Sequence, residues 1–283
     1  MRVHESLNDW ISRHVGEIDA VVFDIDGVLT IEGRSMPGAP ELLRFLNHQK
    51  IIYTLLTNDS LHSIYEKASS LAHCGLDIDP KVIVSSGASL KTWANERGVR
   101  DKLFYLVGTV GDPCYAVSAG LRVTRHLDEL AACRGVIVGE GSFDWEEVIN
   151  GVVNFFIAKP EALFVVPNPD EYFPHNPVGI RIGPGAIARF IQRVLAAYGL
   201  PVEPQYLGKP YLPIFRRNHA ELNRQHGQHL DPSRVLMVGD FIESDIKGAN
   251  DFGYRSALVL SGITDLRMLE QSIIKPQLVF NRL

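Results

Sequence analysis

Short apolar segments alternate with amphipathic segments along most of the chain, and this alternation restricts the fold strongly. The segments VVFDIDGVLT (21–30), IIYTLLTNDS (51–60) and RVLMVGD (234–240) each contain an apolar run that is followed by polar residues. The segment APELLRFLNHQK (39–50) instead has its apolar residues at helical spacing. Apolar strands that alternate with helices predict a parallel sheet covered by helices on both faces, and hence an α/β fold.

The middle of the chain carries a second set of strand-like segments. These are KLFYLVG (102–108), GVIVGE (135–140), FFIAKP (155–160) and ALFVVPNPD (162–170). The pattern of the first region resumes after them, with EPQYLGKP (203–210) as a short strand that runs into a loop. The sequence therefore predicts a core domain of residues 1–82 plus 206–283, with residues 83–205 inserted as a second α/β domain.

The charge of the chain argues against two classes of partner. The 283 residues include 28 basic and 33 acidic side chains, for a net charge of −5. Nucleic acids and anionic membrane surfaces both attract a basic face. We therefore expect neither partner.

The beginning of the chain and its cysteines bear on location. The first 20 residues show no apolar segment of the signal-peptide type, and apolar residues at helical spacing predict a short helix there: Leu7, Trp10, Ile11 and Val15. No apolar run reaches the roughly 18 residues of a membrane span. The three cysteines are Cys74, Cys114 and Cys133. Their odd number and wide spacing favour reduced thiols in a cytoplasmic protein.

Polar residues follow several of the predicted strands. They are Asp24 and Asp26, Thr57 and Asn58, Lys209, and Asp240 with Asp245 close behind. In open parallel sheets, ligands bind at the carboxyl ends of the strands. Two adjacent carboxylates ionise together readily only when a cation lies between them, and Mg²⁺ prefers such oxygen ligands. Acids for a metal, together with a lysine and hydroxyl or amide donors for an anion, indicate phosphoryl transfer.

Each of these motifs has an ordinary interpretation when it stands alone. DIDG could open a calcium loop, but the EF-hand glycine occupies the sixth loop position and follows a helix, whereas Gly27 is fourth and follows a strand. TNDS alone is typical of a helix N-cap. The order of all the motifs, each at a strand end, favours the phosphoryl-transfer interpretation.

Four motifs in sequence order resemble those of the haloacid dehalogenase (HAD) superfamily. They are DIDGVL (24–29), LLTND (55–59), GKP (208–210) and GDFIESD (239–245). The long insertion between the second and third motifs resembles class IIA, the NagD-like and 4-nitrophenylphosphatase-like enzymes. Three further segments agree: VVPNPDEYFP (165–174), IGPGAIARFI (182–191) and LVLSGIT (258–264). The resemblance implies a Rossmann-like HAD core with an inserted C2-type α/β cap domain.

The resemblance also implies a role for each core motif residue. Asp24 would be the nucleophile that forms an aspartyl-phosphate. Asp26 would protonate the leaving oxygen and then activate water. Thr57 and Asn58 would hold the phosphoryl oxygens, and Lys209 would neutralise the nucleophile and the phosphate.

The implied cofactor is Mg²⁺. Its ligands would be Asp24, Asp240 and the backbone carbonyl of Asp26, with Asp245 in support. The implied function is a Mg²⁺-dependent phosphatase that acts on a small phosphate monoester. A phosphotransferase of the same superfamily is disfavoured by the position of the insertion. A catalytically idle regulator that binds a phospho-ligand is disfavoured by the intact acids and lysine, and a dehalogenase by the presence of Asp26.

Three positions depart from the family pattern. Asp59 stands where an asparagine is frequent, and its charge would repel a phosphate unless the side chain turns away. Phe241 stands where a basic residue is frequent, and Ser244 replaces a threonine. None of these changes removes a catalytic group.

Substrate selection is expected to lie in the cap. The candidate contacts are Asn168, Asp170, Tyr172 and Phe173. Asp170 could equally form a turn, and Phe173 could either pack on a substrate ring or fill the cap. The resemblance also implies a homo-oligomer, a dimer formed through the cap.

Overall fold

The computed structural model describes residues 3–175 and 179–283. These residues fall into two units. The core unit consists of the chain up to Thr57, Ile64–Val84 and Lys209–Leu283. The inserted unit consists of Asn58–Ser63 and Ser85–Gly208.

The strands are short and distributed over the whole chain. They are β1 (Val3–Ser6), β2 (Ala20–Phe23), β3 (Thr30–Ile31), β4 (Arg34–Ser35), β5 (Ile52–Thr57), β6 (Ile83–Ser85), β7 (Leu103–Val107), β8 (Arg122–Thr124), β9 (Gly135–Val138), β10 (Leu163–Val166), β11 (Tyr172–His175), β12 (Gly179–Ile182), β13 (Gln205–Tyr206), β14 (Val235–Gly239), β15 (Arg255–Val259) and β16 (Leu278–Arg282).

Helices separate most of the strands. They are α1 (Leu7–Arg13), α2 (Ala39–Gln49), α3 (Ile64–His73), α4 (Ser89–Glu96), α5 (Tyr115–Ser118), α6 (Trp145–Ala158), α7 (Pro184–Ala197), α8 (Leu212–His226), α9 (Lys247–Phe252) and α10 (Leu266–Gln271). One turn of π-helix, Ile242–Ile246, precedes α9.

A seven-stranded sheet organises the core unit, in the order β1-β16-β15-β14-β2-β5-β6. The interior strand β2 is buried on both faces, since alternate side chains enter different hydrophobic clusters. Val21 and Phe23 pack with the apolar face of α2. Ala20 and Val22 pack with the apolar face of α8. The predicted parallel α/β sheet with helices on both faces is confirmed.

A five-stranded sheet organises the inserted unit, in the order β13-β10-β9-β7-β8. All of its neighbouring strands run parallel. Val136 and Val138 of β9 pack with α6 and α7. Ile137 faces the opposite side and packs with α4 and α5. The inserted unit is therefore also an α/β layer structure, and β11 and β12 form a separate antiparallel hairpin.

The unit boundaries differ from those predicted at residues 83 and 205. The strand β6 lies beside β5 in the core sheet, so the core unit continues to Val84. The strand β13 pairs with β10 of the inserted sheet, so the core unit resumes only at Lys209. The expectation that Lys209 follows a core strand is therefore wrong. Strand pairing over long sequence separations decided both boundaries, and local patterns do not encode it.

The segment FFIAKP was predicted as a strand, and this was wrong. Its first four residues, Phe155–Ala158, are the last turn of α6. The helix begins at Asp144, whose side chain accepts a hydrogen bond from the Glu147 N–H at 2.9 Å. Phe156 is buried and its ring centroid lies 4.9 Å from that of Phe164. A short apolar run fits a buried strand and a buried helix end equally well.

The helix predicted near the start of the chain is confirmed as α1, which is preceded by the unpredicted strand β1. The predicted strands and helices around residues 21–73 and 184–259 are also present. Cys74, Cys114 and Cys133 are free thiols. None of the helices in the described part of the chain has the length and apolar character that crossing a bilayer requires.

Candidate active site

Asp24 stands directly after β2, at the carboxyl end of the core sheet. Its backbone N–H donates to the Val238 carbonyl at 2.9 Å, which extends the pairing of β2 with β14 by one residue. Its Oδ1 accepts a hydrogen bond from the Ile25 N–H at 2.8 Å. Burial raises the pKa of Asp24 well above its usual value, and the Lys209 ammonium opposes that rise. The carboxylate is therefore fixed in place at the edge of the sheet.

Lys209 is the cation of the site. Its Nζ lies 2.7 Å from Asp24 Oδ1 and 2.8 Å from Asp245 Oδ1. The side chain is only 3% exposed. Burial alone would lower the pKa of Lys209, but Asp24 and Asp245 together raise it above the usual lysine value. A buried ammonium that contacts two carboxylates is stable as a charged group, whereas a single unpaired charge would not be.

Asp240 and Asp245 come from the end of β14 and the π-helical turn that follows it. Asp240 Oδ2 accepts from the Ile263 N–H at 2.7 Å, and Asp245 Oδ2 accepts from the Phe241 N–H at 3.1 Å. Burial and then the charge of Asp245 raise the pKa of Asp240 to about 7. Backbone donors thus orient both carboxylates in a region with little water.

Two glycines approach the Asp240 carboxylate closely. A Cβ atom on Gly27 would lie 2.4 Å from Asp240 Oδ2, and one on Gly262 would lie 1.9 Å from it. Gly27 also has a φ of +83°, which favours glycine. Ser261 Oγ donates to the Gly27 carbonyl at 2.8 Å. This hydrogen bond connects the loop that contains Gly262 to the loop that contains Gly27. The carboxylate of Asp240 is therefore enclosed by backbone.

The residues present fit a divalent cation. Asp24, Asp240 and Asp245 each offer a carboxylate oxygen, and these oxygens lie within 4.8 Å of one another. Three carboxylates against the single Lys209 ammonium leave two negative charges in this cluster when all are ionised. Hard oxygen donors suit Mg²⁺, whose charge would cancel this excess.

Asp26 lies outside the carboxylate cluster and is exposed. Its Oδ1 accepts from the Thr30 hydroxyl at 3.4 Å, and its Oδ2 lies 3.4 Å from Lys67 Nζ. Its neighbour Ile25 is buried, and both residues lie in the turn that follows β2. Metal binding by the Asp26 backbone carbonyl stays a prediction.

Thr57 and Asn58 are adjacent in sequence but belong to different units. Thr57 is the buried last residue of β5, and the β2–β5 register pairs Phe23 with Leu55. Thr57 therefore reaches the same edge of the core sheet as Asp24. In the inserted unit, Asn58 Nδ2 donates to Asp170 Oδ1 at 2.8 Å, and the Asn58 carbonyl accepts from Ser86 Oγ at 2.7 Å.

Asp59, the unusual acid of the second motif, is engaged in its own loop. Its Oδ1 accepts from the N–H groups of Leu61 and His62 at 2.9 and 3.0 Å. Its Oδ2 lies 2.8 Å from Nδ1 of His62. The carboxylate thus replaces an asparagine as an acceptor for backbone donors, which is a typical use of aspartate at a turn.

The four predicted cap residues have different surroundings. Asn168 is 3% exposed; its Nδ2 donates to Glu140 Oε1 at 3.0 Å and its Oδ1 accepts from the Asp170 N–H at 2.9 Å. Tyr172 and Phe173 lie on β11, where Tyr172 is 44% exposed. Contact of any of these four residues with substrate stays a prediction.

Glu140 is a partly buried acid of the inserted unit that the sequence analysis did not name. Besides the bond from Asn168, its Oε1 accepts from Ser60 Oγ at 3.2 Å. Burial raises the pKa of Glu140, and the bond from Asn168 partly offsets that rise. Glu140 follows β9 as the last residue of GVIVGE. The rule that polar residues after parallel strands line ligand sites would have singled it out.

Two family models match the chain over the stretches that hold the core motifs. A model described as haloacid dehalogenase-like hydrolase matches residues 21–122. A HAD hydrolase-like model matches residues 206–283. Dihydroxyacetone phosphatase of Corynebacterium glutamicum is 30% identical over 258 residues, which are 91% of this chain and 86% of the relative.

The chain belongs to the haloacid dehalogenase-like hydrolase family. The ribonucleotide monophosphatase NagD of Escherichia coli is 27% identical over 264 residues, covering 93% of this chain and 96% of NagD. The solved structure of Escherichia coli NagD covers 94% of this HAD-like hydrolase and 96% of its own chain, with a TM-score of 0.78 and 26% identity. This HAD-like hydrolase is therefore NagD-like, and its reaction class is the hydrolysis of phosphoric monoesters.

A further solved structure supports the fold of this HAD-like hydrolase. It is a possible sugar phosphatase from Cytophaga hutchinsonii, which covers 100% of this chain and 98% of its own, with a TM-score of 0.83. At 24% identity this likeness concerns the fold alone.

Proposed function

We propose that this HAD-like hydrolase is a Mg²⁺-dependent phosphatase that hydrolyses a small phosphate monoester through an aspartyl-phosphate. One observation carries the proposal. The Asp24 carboxylate lies 2.7 Å from the Lys209 ammonium and belongs to a cluster of three carboxylates. That arrangement combines a nucleophile, a fixed positive charge and a set of ligands for a divalent cation.

The proposed reaction has two steps. In the first, a carboxylate oxygen of Asp24 forms a bond to phosphorus, the bond from phosphorus to the leaving oxygen breaks, and Asp26 gives that oxygen a proton. In the second, Asp26 takes a proton from water, the water oxygen attacks phosphorus, and the bond to Asp24 breaks. The products are an alcohol and inorganic phosphate, and Asp24 and Asp26 return to their starting states.

The remaining residues stabilise charge and hold the phosphoryl group. Lys209 keeps Asp24 in place and neutralises negative charge next to the phosphoryl group. Thr57 and Asn58 are proposed to donate hydrogen bonds to the phosphoryl oxygens. Asp24, Asp240 and Asp245 would hold Mg²⁺, with the Asp26 backbone carbonyl as a further ligand. The bound ion would supply Lewis-acid stabilisation of the charge that develops in transfer.

The substrate is proposed to be a small phosphorylated metabolite. Relatives that cover most of this chain are named for dihydroxyacetone phosphate and ribonucleotide monophosphate chemistry. Selection among such esters is proposed to lie in the inserted unit, at Asn168, Asp170, Tyr172 and Phe173.

Hydrolysis of 4-nitrophenyl phosphate tests the proposed function. We expect turnover with Mg²⁺, loss of turnover with EDTA, and no turnover by Asp24→Asn. Asp77→Asn is the matched control, because Asp77 is an exposed aspartate of the core unit. Its activity is expected to equal that of the wild type.

Binding of BeF₃⁻ separates the remaining outcomes when no turnover is seen. This anion mimics a phosphoryl group on an aspartate. Binding that disappears in Asp24→Asn, without turnover of any phosphate ester in a metabolite panel, would favour a regulator over a phosphatase. Absence of both binding and turnover in folded protein would contradict the proposed function.

We also propose a homodimer formed through the inserted unit. Helix α7 exposes Phe190 and Val194, and Tyr198 directly after the helix continues their four-residue spacing. Trp145 adds to this face, with its ring centroid 5.7 Å from that of Phe190. A contiguous exposed apolar patch indicates an interaction surface. Light scattering of Phe190→Glu should report a monomer. Lys91→Glu, at an exposed position of α4 in the same unit, is the control. An unchanged mass of Phe190→Glu would contradict this interface.

The proposed compartment is the cytoplasm, since three free cysteines suit a reducing environment.

A further inference from the structure

Lys67 occupies a position of α3 where an apolar residue is expected. The side of α3 that faces the core cluster carries Ile64, Ala68 and Leu71, at the spacing of one helical face. Position 67 is three residues after Ile64 and four before Leu71, so it lies within that stripe. The Lys67 side chain is accordingly only 15% exposed. Partial burial of an ammonium is unfavourable unless a polar group compensates it, so a polar partner is expected for this lysine.

The side chain reaches the carboxylate of Asp26. Lys67 Nζ lies 3.4 Å from Asp26 Oδ2, while the Thr30 hydroxyl lies 3.4 Å from Asp26 Oδ1. Each of the two carboxylate oxygens thus has a polar contact with a side chain of its own unit. Asp26 is 73% exposed, so packing by neighbouring side chains does little to fix its rotamer. The two polar contacts are what restrains the direction of this carboxylate.

We infer that Lys67 is a positioning residue of the reaction, which holds the Asp26 carboxylate in the orientation for proton transfer to the leaving oxygen. The inference rests on the proposed function, in which Asp26 is the general acid and base. Proton transfer requires the donor and acceptor atoms to be within hydrogen-bond reach. A freely rotating exposed carboxylate would spend much of its time turned away. Lys67 acts through Asp26 and contacts no reacting atom itself.

This role predicts a dependence on the leaving group. A nitrophenolate leaves readily without a proton, whereas the alkoxide of benzyl alcohol leaves poorly unless it is protonated. Loss of Asp26 orientation therefore slows the first step, and with it kcat/KM, much more for benzyl phosphate than for 4-nitrophenyl phosphate. The second step, in which Asp26 activates water, is common to all esters and does not enter kcat/KM. A general disturbance of the fold or of metal binding would slow both reactions by the same factor.

The experiment compares Lys67→Met and Lys67→Arg with the wild type on benzyl, phenyl and 4-nitrophenyl phosphates. Methionine keeps an unbranched apolar stem in the stripe but removes the ammonium, and arginine restores a cation. For Lys67→Met we expect kcat/KM to fall roughly tenfold or more with benzyl phosphate and less than about threefold with 4-nitrophenyl phosphate, up to the full contribution of a general acid. Phenyl phosphate should be intermediate, and Lys67→Arg should recover most of the benzyl phosphate kcat/KM.

Lys81→Met is the matched control. Lys81 is an exposed lysine of the same unit, and its variant should match the wild type on all three esters. Equal losses of kcat/KM on the three esters in Lys67→Met, or no loss of kcat/KM on benzyl phosphate, would overturn the inference while leaving the phosphatase proposal intact.

Crystal structures test the same inference without turnover. In Lys67→Met the Asp26 carboxylate should occupy several rotamers, whereas the wild type should show one. A single, unchanged Asp26 rotamer in the variant would overturn the inference. If the wild type hydrolysed none of the three esters, the proposed function would be in question, and the comparison of the two structures would still decide whether Lys67 orients Asp26.

Discussion

Gly27 lies so close to Asp240 that a Cβ atom at position 27 would come within 2.4 Å of the Asp240 Oδ2 atom. The first and fourth motifs, more than 200 residues apart in the sequence, therefore meet at van der Waals contact. The contact requires glycine for two reasons, namely the space next to Asp240 and the φ of +83°.

Gly27→Ala should displace the Asp240 carboxylate and abolish most activity. Gly33→Ala is the matched control, because Gly33 also has a positive φ, +72°, but no atom lies within 4 Å of its would-be Cβ. Each variant should lose about 1–2 kcal/mol of unfolding free energy from backbone strain, and only Gly27→Ala should lose activity. Urea unfolding and a phosphatase assay on both proteins check this. Equal activity in the two variants would show that the space next to Asp240 is not critical.

Lys209→Met should destabilise the protein strongly in the absence of metal. The substitution leaves Asp24 and Asp245 buried without their common cation. Breaking a buried ion pair from one side costs about 3–5 kcal/mol, whereas a surface pair contributes about 0–1 kcal/mol. Lys247→Met, which breaks the exposed pair with Asp251, is the control. Chemical denaturation in EDTA measures both, and similar losses in the two variants would argue against a charged Lys209.

Mg²⁺ should raise the midpoint of thermal unfolding. A ligand that binds only the folded state stabilises it by about 2.7 kcal/mol at a concentration 100 times its dissociation constant. Asp240→Asn removes one carboxylate of the cluster and should greatly reduce the Mg²⁺-dependent rise, while Asp77→Asn should retain it. Differential scanning fluorimetry over a Mg²⁺ series provides the measurement. A full rise in Asp240→Asn would place the ion elsewhere.

His219 should make the folded state less stable in acid. Burial lowers the pKa of His219, and the nearby His229 lowers it further. The unfolded chain takes up this proton near pH ~6.5, whereas the folded protein takes it up only at lower pH. The contribution of the neutral His219 side chain to the free energy of unfolding is therefore complete above about pH 6.5. This contribution is lost as the pH falls below that value.

The test of this pH dependence is His219→Gln. The Nδ1 atom of His219 lies 3.2 Å from the Tyr254 hydroxyl. The neutral histidine therefore has a polar partner that the glutamine side chain can also contact. The free energy of unfolding of the variant should fall less steeply below about pH 6.5 than that of the wild type. His126→Gln, at an exposed position of the inserted unit, should show the wild-type slope. An unchanged slope in His219→Gln would assign the acid sensitivity to other groups.

Local patterns predicted most helices and core strands because they depend on residues near in sequence. The apolar run before Asp24 and the apolar face of α2 are examples. The same reasoning failed for Phe155–Ala158, where an apolar run had no local feature that separates a strand from the end of a buried helix. It also misplaced β13, whose partner β10 lies about 40 residues earlier in the chain.

The sequence likewise predicted one part of the candidate site and not another. The chain order of Asp24, Asp26, Lys209 and Asp240 was visible in the sequence, and so was their common chemistry. The hydrogen bonds of the Asp59 carboxylate within its own loop, the engagement of Asn168 with Glu140 and the contact of Lys67 with Asp26 were not. Each of these depends on the rotamer of a polar side chain, which is set by partners brought from other elements.

The sequence by itself determined the α/β class and the family, and it supplied the candidate catalytic residues. These follow from residue types and from periodicities that persist in any context. Only the tertiary structure decided where the units divide, which carboxylates surround Lys209, and which lysine holds Asp26. Those outcomes depend on strand pairing and side-chain contacts between residues far apart in the chain. The free energy of a side chain in such a contact is set by neighbours that the local sequence does not contain.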